Sequence, residues 1–255
     1  ADTGQILMPC KEKDGMSLKG QTSYRSGVGK LLHMMRWSRP DMLNAVRELS
    51  KNMKIASEAH LKAMQRAMKY CLATPERGLL LKQYGMWNGN PDYEFEILGR
   101  SDANYATDTA SRRSVSGISV FLNGAPVVMR SNGQKSVTLS STEAEYVSMS
   151  KGLQEILFSQ MLLKEIANSE LEAVMLEDNT GAIFLVKNQQ VGARTKHIDV
   201  RYHFLREHFE QKHFKIKFVR SEDNESDILT KNTPEGLLKT HAVNIRNGTM
   251  NTWTN

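Results

Sequence analysis

Residues 116–131 read Ser-Gly-Ile-Ser-Val-Phe-Leu-Asn-Gly-Ala-Pro-Val-Val-Met-Arg-Ser, and this stretch decides the fold. Asn123-Gly124 is a dipeptide that two-residue hairpin turns prefer, because both turn residues must adopt positive φ. It separates two runs rich in apolar and β-branched residues, 116–122 and 125–131. The pattern therefore predicts an antiparallel β-hairpin in the middle of the chain.

More strands and helices follow on both sides of this hairpin. Before it, Tyr93, Phe95 and Ile97 alternate with polar residues as in a half-buried strand, and Asp102 closes the run. After it, the sequence predicts a helix over 141–167, a strand over 173–177, helices over 181–188 and 198–211, a strand over 214–219 and a helix near residue 227. This order predicts an α/β domain whose five-stranded mixed sheet is flanked by helices.

The residues before the sheet predict a small helical segment. Apolar residues recur at helical spacing over 24–37, Pro40 begins a second helix, and Ser57 is the N-cap of a third helix that Pro75 ends. Residues 83–92 are rich in Gly, Asn and Pro and predict a linker. We therefore expect a helical segment over 1–90, the α/β domain over 91–240 and a tail over 241–255.

Composition limits the possible partners. The net charge of +6 over 255 residues makes a polyanion such as a nucleic acid a sensible partner. Cys10 and Cys71 lack metal-binding spacing and favour a reducing, intracellular compartment. No apolar stretch approaches the ~20 residues that span a bilayer, so no membrane partner is expected. No small-molecule cofactor is expected either. The chain begins with Ala1, which is typical of a fragment or a processed product.

Four acidic residues stand where predicted strands end or predicted helices begin. Carboxylates gathered at such places raise one another's pKa unless cations neutralise them. Ligation by oxygen alone favours Mg²⁺, for which Mn²⁺ can substitute. The candidate metal ligands are Asp102, Glu145, Asp178 and Asp227.

Some neighbouring acids compete for these positions. Glu143 stands three residues after Ser140, the spacing of a capping box, which gives its carboxylate a structural role. Glu145 falls closer to the apolar stripe of the same helix and is therefore the better ligand. Asp223 and Glu225 likewise compete with Asp227. Taken alone, Asp102 is also compatible with an Asx-turn and Asp178 with a helix N-cap.

Six longer motifs carry a family resemblance. They are Ser101-Asp102-Ala103, Arg112-Arg113-Ser114-Val115-Ser116-Gly117, Leu139-Ser140-Ser141-Thr142-Glu143-Ala144-Glu145-Tyr146, Glu177-Asp178-Asn179, Thr195-Lys196-His197-Ile198-Asp199-Val200-Arg201-Tyr202-His203-Phe204 and Asp227-Ile228-Leu229-Thr230-Lys231. Together they resemble the ribonuclease H domain of copia-type LTR retrotransposon polyproteins. Upstream, Tyr24-Arg25-Ser26-Gly27-Val28-Gly29, Ser38-Arg39-Pro40-Asp41 and Gly78-Leu79-Leu80 resemble the connection- or thumb-like tail that follows the polymerase palm. No polymerase catalytic motif is present.

The resemblance implies a ribonuclease H-like fold and hydrolysis of the RNA strand of RNA–DNA hybrids. Four carboxylates would hold two divalent cations about 4 Å apart for an in-line displacement. The implied partners are the hybrid and the reverse transcriptase portion of the same polyprotein, in a cytoplasmic virus-like particle. The expected substrate-binding residues are Arg112, Arg113, Ser114, Gln134, Lys135, Asn179, Lys196, His197 and Arg201.

Two alternatives stay open, and one motif departs from the family. A silent nucleic-acid-binding module would gain nothing from four acids that repel phosphate, and a DNA exonuclease or transferase of this fold would lack the long motifs. Related enzymes often carry a histidine on the loop before the last acid. The corresponding residues, 220–224, contain none, which bears on the rate of hydrolysis rather than on the fold.

Overall fold

The structure, a computed structural model, describes residues 7–82, 87–90, 93, 95–168, 171–188 and 196–248, with only the backbone described for 196–199. Most of the predicted linker, residues 83–92, lies outside this part. The elements are helices α1 (Leu18–Trp37), α2 (Leu43–Ser50) and α3 (Glu58–Ala73), strands β1 (Ile97–Asn104), β2 (Val115–Leu122) and β3 (Ala125–Gly133), helix α4 (Ser141–Ala167), strand β4 (Ala173–Glu177), helices α5 (Thr180–Lys187) and α6 (Lys196–Glu210), strand β5 (Phe214–Phe218), and helices α7 (Asp227–Thr230) and α8 (Glu235–Asn247).

The five strands form one mixed sheet in the order β3-β2-β1-β4-β5. β1, β2 and β3 pair antiparallel, whereas β4 pairs parallel with both β1 and β5. Asn123 and Gly124 turn the hairpin with φ of 47° and 79°, as the dipeptide predicts. The predicted fold class, a five-stranded mixed sheet flanked by helices, is confirmed.

Strand β1 begins and ends later than the sequence predicts. Its pairing with β2 runs from Ile97 opposite Leu122 to Asn104 opposite Val115. Because β2 turns at Asn123, residues before Ile97 have no neighbouring strand to pair with, and Asn123 caps the ladder by bonding both backbone groups of Glu96. Asp102 therefore lies inside β1, two residues before its end.

The main core lies between the sheet and α4. Met149, Leu153 and Ile156 of α4 are completely buried against sheet residues such as Ile118 and Met175. The first half of α4 is buried nearly all round.

The predicted helical segment is present and has a core of its own. Tyr24 and Val28 of α1 pack with Val46 of α2 and Met64 of α3. A second cluster joins α2 to the C-terminal part of the chain through Leu43, which packs with residues of α7 and α8. Within the described residues, no helix is both long and apolar enough to cross a bilayer.

Helix α8 was not expected from the sequence. It begins after Pro234 and crosses residue 240, the expected end of the α/β domain. Ala242 and Ile245 are buried, and with the partly buried Leu238 they form a helical stripe. The division of the chain into domains stays a prediction.

Candidate active site

Three of the four predicted ligands come together at one edge of the sheet. Asp102 lies in β1, Glu145 in the second turn of α4 and Asp178 directly after β4. Because β1 and β4 are parallel and Leu98 pairs with Val174, the extended register brings Asp178 beside Asp102. One carboxylate oxygen from each residue lies within 4.8 Å of the other two. We call Asp102, Glu145 and Asp178 the acid group.

The acid group is unfavourable as a set of free charges. Burial, and then the neighbouring Asp227, raises the pKa of Asp102 to about 7. Burial raises the pKa of Glu145 to about 11, with Glu177, Asp102 and Asp178 adding to the rise. Glu145 Oε2 is buried and has no hydrogen-bond partner among the described residues. A divalent cation would satisfy this oxygen and offset the repulsion, so the donor set fits a hard metal ion.

The fourth predicted ligand, Asp227, lies beside the acid group but is held by a lysine. It is the first residue of α7, it is 3% exposed, and its Oδ1 lies 2.7 Å from the ammonium of Lys231. In the same short helix, the Thr230 hydroxyl donates a hydrogen bond to the Asp102 carboxylate. Asp102, Asp227 and Asp178 together raise the pKa of Lys231 against the opposing effect of burial. Lys231 is thus the internal counter-ion of the site, which the sequence motif did not predict.

The structure separates Glu143 from Glu145 as the helix phase predicts. Ser140 Oγ accepts a hydrogen bond from the Glu143 backbone nitrogen, at 3.1 Å, and the Glu143 carboxylate accepts one from the backbone nitrogen of Leu139, at 2.7 Å. Glu143 therefore caps α4, while Glu145 belongs to the acid group.

The two acids that compete with Asp227 are used elsewhere. Glu225 forms a buried ion pair with Arg100 at 2.6 Å. Asp223 has an exposed side chain, and its backbone carbonyl accepts a hydrogen bond from the same arginine at 2.7 Å. Neither carboxylate joins the acid group.

One buried acid near the site was missed. Glu177, the last residue of β4, is completely buried and accepts hydrogen bonds from the Ser101 hydroxyl, at 2.6 Å, and the Asn179 backbone nitrogen, at 3.2 Å. Burial raises its pKa well above the usual range. Alternation along β4 places Glu177 on the same face as Ala173 and Met175, and this signal could have found it.

Two residues that are predicted to contact the substrate have side chains inside the protein. Gln134 is 1% exposed, and its amide nitrogen donates to Ser116 Oγ and to the Ala144 carbonyl. Ser114 is equally buried, and its hydroxyl bonds the backbone nitrogen of Ala106 and the hydroxyl of Thr138. Both side chains join neighbouring segments and are not available to a phosphate.

The remaining predicted contacts have different surroundings. Arg112, Arg113 and Lys135 are exposed, and Arg201 is half-buried. Asn179 caps α5 by accepting a hydrogen bond from the Ala182 backbone nitrogen at 3.0 Å. The side chains of Lys196 and His197 lie outside the described part of the structure.

A further lysine joins two of these cations. Lys151 is half-buried on α4, and its pKa is lowered by burial and then by Arg201 and Lys135. None of these three side chains has a hydrogen bond or an ion pair with another described residue. We call Lys135, Lys151 and Arg201 the cation cluster. Its parts come from three separate segments, so the linear sequence carries no signal for it.

The sheet order, with one acid inside β1 and another directly after β4, is that of the ribonuclease H-like fold that the sequence predicts. Solved structures with a similar fold include LC11-RNase H1 in complex with RNA/DNA hybrid, with 11% identity, a TM-score of 0.39, and coverage of 51% of this chain and 88% of that one. Another is the foamy viral protease-reverse transcriptase in complex with dsDNA, with 11% identity, a TM-score of 0.49, and coverage of 81% and 42%. No protein-family model matches the chain.

Sequence relatives identify the family. The chain is 35% identical over 218 residues to the retrovirus-related Pol polyprotein from transposon RE1 of Arabidopsis thaliana, and 33% identical over 230 residues to that from transposon TNT 1-94 of Nicotiana tabacum. These matches cover 85% and 90% of the chain but only 14% and 16% of the two polyproteins. It is also 38% identical over 132 residues to secreted RxLR effector protein 161 of Plasmopara viticola, covering 52% of this chain and 87% of that protein.

The chain belongs to the family of retrovirus-related Pol polyproteins of copia-type transposons.

Proposed function

We propose that the chain is an endonuclease that hydrolyses the RNA strand of RNA–DNA hybrids during reverse transcription of a retrotransposon. The observation that carries the proposal is the acid group, whose three carboxylates share one small volume although two of them are almost completely buried. A structural role would pair such acids with arginines, as the protein does for Glu225. A catalytic cation explains the acid group better.

The chain's own residues fit two divalent cations. Asp102, Glu145 and Asp178 would hold one of them, and Asp227 would help to hold another after release from Lys231. Oxygen ligands favour Mg²⁺, with Mn²⁺ as a substitute. When bound, such a pair of cations supplies an activated water and stabilises the leaving oxygen of an in-line displacement.

Other side chains would position the hybrid beside these acids. The cation cluster and the exposed Arg112 and Arg113 would contact phosphates, which fix orientation without reading sequence. Asn179 follows Asp178 directly and uses only its side-chain oxygen for the α5 cap, so its amide nitrogen could donate to a ribose 2′-hydroxyl. A contact of this kind would distinguish RNA from DNA.

The chain would work beside the reverse transcriptase portion of its polyprotein, in a cytoplasmic virus-like particle. Its similarity to segments of Pol polyproteins supports the partnership with the reverse transcriptase portion, whereas the location is proposed from the family resemblance alone.

Cleavage of a labelled RNA–DNA hybrid by the purified chain tests the function. We expect cleavage with Mg²⁺ or Mn²⁺, none with chelator, and none for the variant Asp102→Asn. Duplex DNA and single-stranded RNA should stay intact. Cleavage of duplex DNA would instead favour an exonuclease or transferase, and hybrid binding without cleavage would favour a silent binding module.

A further inference from the structure

Helix α7 is too short to keep its own position. It has four residues, and isolated helices shorter than about 12 residues are marginal in water. Yet it carries Asp227 at its first position and Thr230, which bonds the Asp102 carboxylate, at its last. The placement of the fourth acid therefore depends on the surfaces against which α7 packs.

The sheet supplies one of these surfaces. A Cβ atom added to Gly117 of β2 would lie 2.6 Å from Thr230 Cγ2 and 2.7 Å from the Ser226 carbonyl oxygen, so α7 rests directly on this strand. Ser226 Oγ also lies 2.9 Å from Ser119 Oγ. These contacts fix the sheet-facing side of α7 and leave its opposite side to be held by another element.

Helix α2 of the helical segment supplies that other surface. Leu43 is buried against Ile228 and Leu229 of α7. Arg47 Nη1 donates to Ser131 Oγ at 2.7 Å, and the Ser131 hydroxyl donates in turn to the Leu229 carbonyl. The last carbonyls of a helix lack intrahelical partners, so this carbonyl needs an outside donor. The Ser131 hydroxyl is this donor, and Arg47 holds the hydroxyl by donating to its oxygen.

Arg47 is held firmly enough to act as a fixed donor. Its side chain is only 13% exposed, and Nη2 donates to Asn44 Oδ1 at 2.7 Å and to Glu48 Oε1 at 2.6 Å. Asn44 uses its amide nitrogen to reach Asn232 Oδ1 at 3.1 Å. The two polar links from α2 therefore end on Leu229 and Asn232, on either side of Lys231 and within five residues of Asp227.

We infer that Arg47 is a positioning residue for the metal site, so that the helical segment fixes the placement of Asp227 through Ser131 and the Leu229 carbonyl. This inference rests on the proposed function, because it requires the acids to bind cations. A merely stabilising interface would need only the apolar contact of Leu43, whereas the polar links converge on the short segment that carries the fourth acid.

Mn²⁺ binding by the full chain, measured calorimetrically, tests this role without relying on turnover. Arg47→Ala should weaken Mn²⁺ binding about tenfold, the lower end of what loss of an outer support costs a metal site. Arg47→Lys should restore part of that affinity. Arg25→Ala is the matched control, because Arg25 also bonds two backbone carbonyls, those of Met53 and Lys54, but both lie within the helical segment. The Arg25→Ala variant should bind Mn²⁺ with the affinity of the wild type.

Ser131→Ala breaks the same link from the other side and serves also if Arg47→Ala does not fold. It should weaken Mn²⁺ binding comparably, and the double variant should bind no more weakly than Arg47→Ala alone, because both changes interrupt one chain of contacts. Unchanged affinity in both single variants, with a wild type that binds Mn²⁺, would overturn the positioning role and leave the proposed function standing. A wild type that binds no Mn²⁺ would overturn both.

Discussion

Replacing Asp102 with Asn should make the chain more stable when divalent cations are absent. Asp102 is 2% exposed, and burial with the nearby Asp227 raises its pKa to about 7. An acid whose pKa is higher in the folded state than in the unfolded state lowers stability at any pH above its unfolded pKa. Asn has nearly the same shape and cannot ionise, so it removes this destabilisation.

The size of the effect follows from the pKa of Asp102. Each pKa unit corresponds to about 1.4 kcal/mol, so the rise from the ordinary value to about 7 amounts to about 4 kcal/mol at pH 7.5. Relaxation and water entry reduce such penalties. We expect a net gain of about 2 kcal/mol, which raises Tm by about 4–8 °C. The destabilisation is complete above pH of about 7, declines as the pH falls, and vanishes below about 4.

Thermal unfolding followed by circular dichroism, with chelator and at pH 7.5 and 5, measures this gain. Asp102→Asn should melt at a higher temperature than the wild type at pH 7.5, and the difference should shrink to less than half at pH 5. Asp108→Asn is the control of opposite sign, because hydrogen bonds from Ser111 and Lys51 lower the pKa of Asp108. An equal or lower Tm for Asp102→Asn at pH 7.5, or a difference independent of pH, would refute the reasoning.

Three further sets of changes separate the roles of nearby residues. Glu145→Gln should abolish hybrid cleavage, whereas Glu143→Gln should lower the free energy of unfolding by about 0.5–2 kcal/mol through the lost cap. Cleavage kinetics and thermal melting of both variants measure these effects. Exchanged phenotypes would contradict the assignment of Glu145 as the ligand and Glu143 as the cap. Lys231→Met should free Asp227 and tighten Mn²⁺ binding several-fold in calorimetry, and equal or weaker binding would show that the lysine does not compete with cations. Changing the whole cation cluster to Gln should weaken hybrid binding and reduce its log–log salt slope by about 0.9 for each lost phosphate contact. An unchanged slope with a lower Tm would make the cluster a solvated structural surface.

Local signals in the sequence were sufficient for much of the fold. Asn123-Gly124 determines the hairpin because few other dipeptides accept two positive φ angles, and the pattern around it determines the three antiparallel strands. The phase of α4 separates Glu143 from Glu145 because a helix rotates about 100° per residue. Helix α8 carried a similar signal in Leu238, Ala242 and Ile245, and it was overlooked.

Features that depend on contacts between distant segments could not be predicted in the same way. The resemblance implies that Gln134 holds a phosphate, but its side chain is buried because α4 begins beside it and offers the Ala144 carbonyl. Lys151 stands near Arg201 only because α6 packs across α4, where the rings of Tyr146 and Tyr202 lie 4.2 Å apart. Neither neighbour could be inferred from spacing along the chain.

The four acids differ in how the fold supports them. Asp102, Glu145 and Asp178 lie in or next to β1, α4 and β4, which the main core fixes, so their geometry follows from the sheet itself. Asp227 lies on a four-residue helix whose place depends on β2, on Ser131 and on α2. Changes at the α2 surface should therefore weaken the cation that needs Asp227 more than the cation held by the acid group alone. Two calorimetric transitions, of which only one responds to Arg47→Ala, would be the signature of this unequal support.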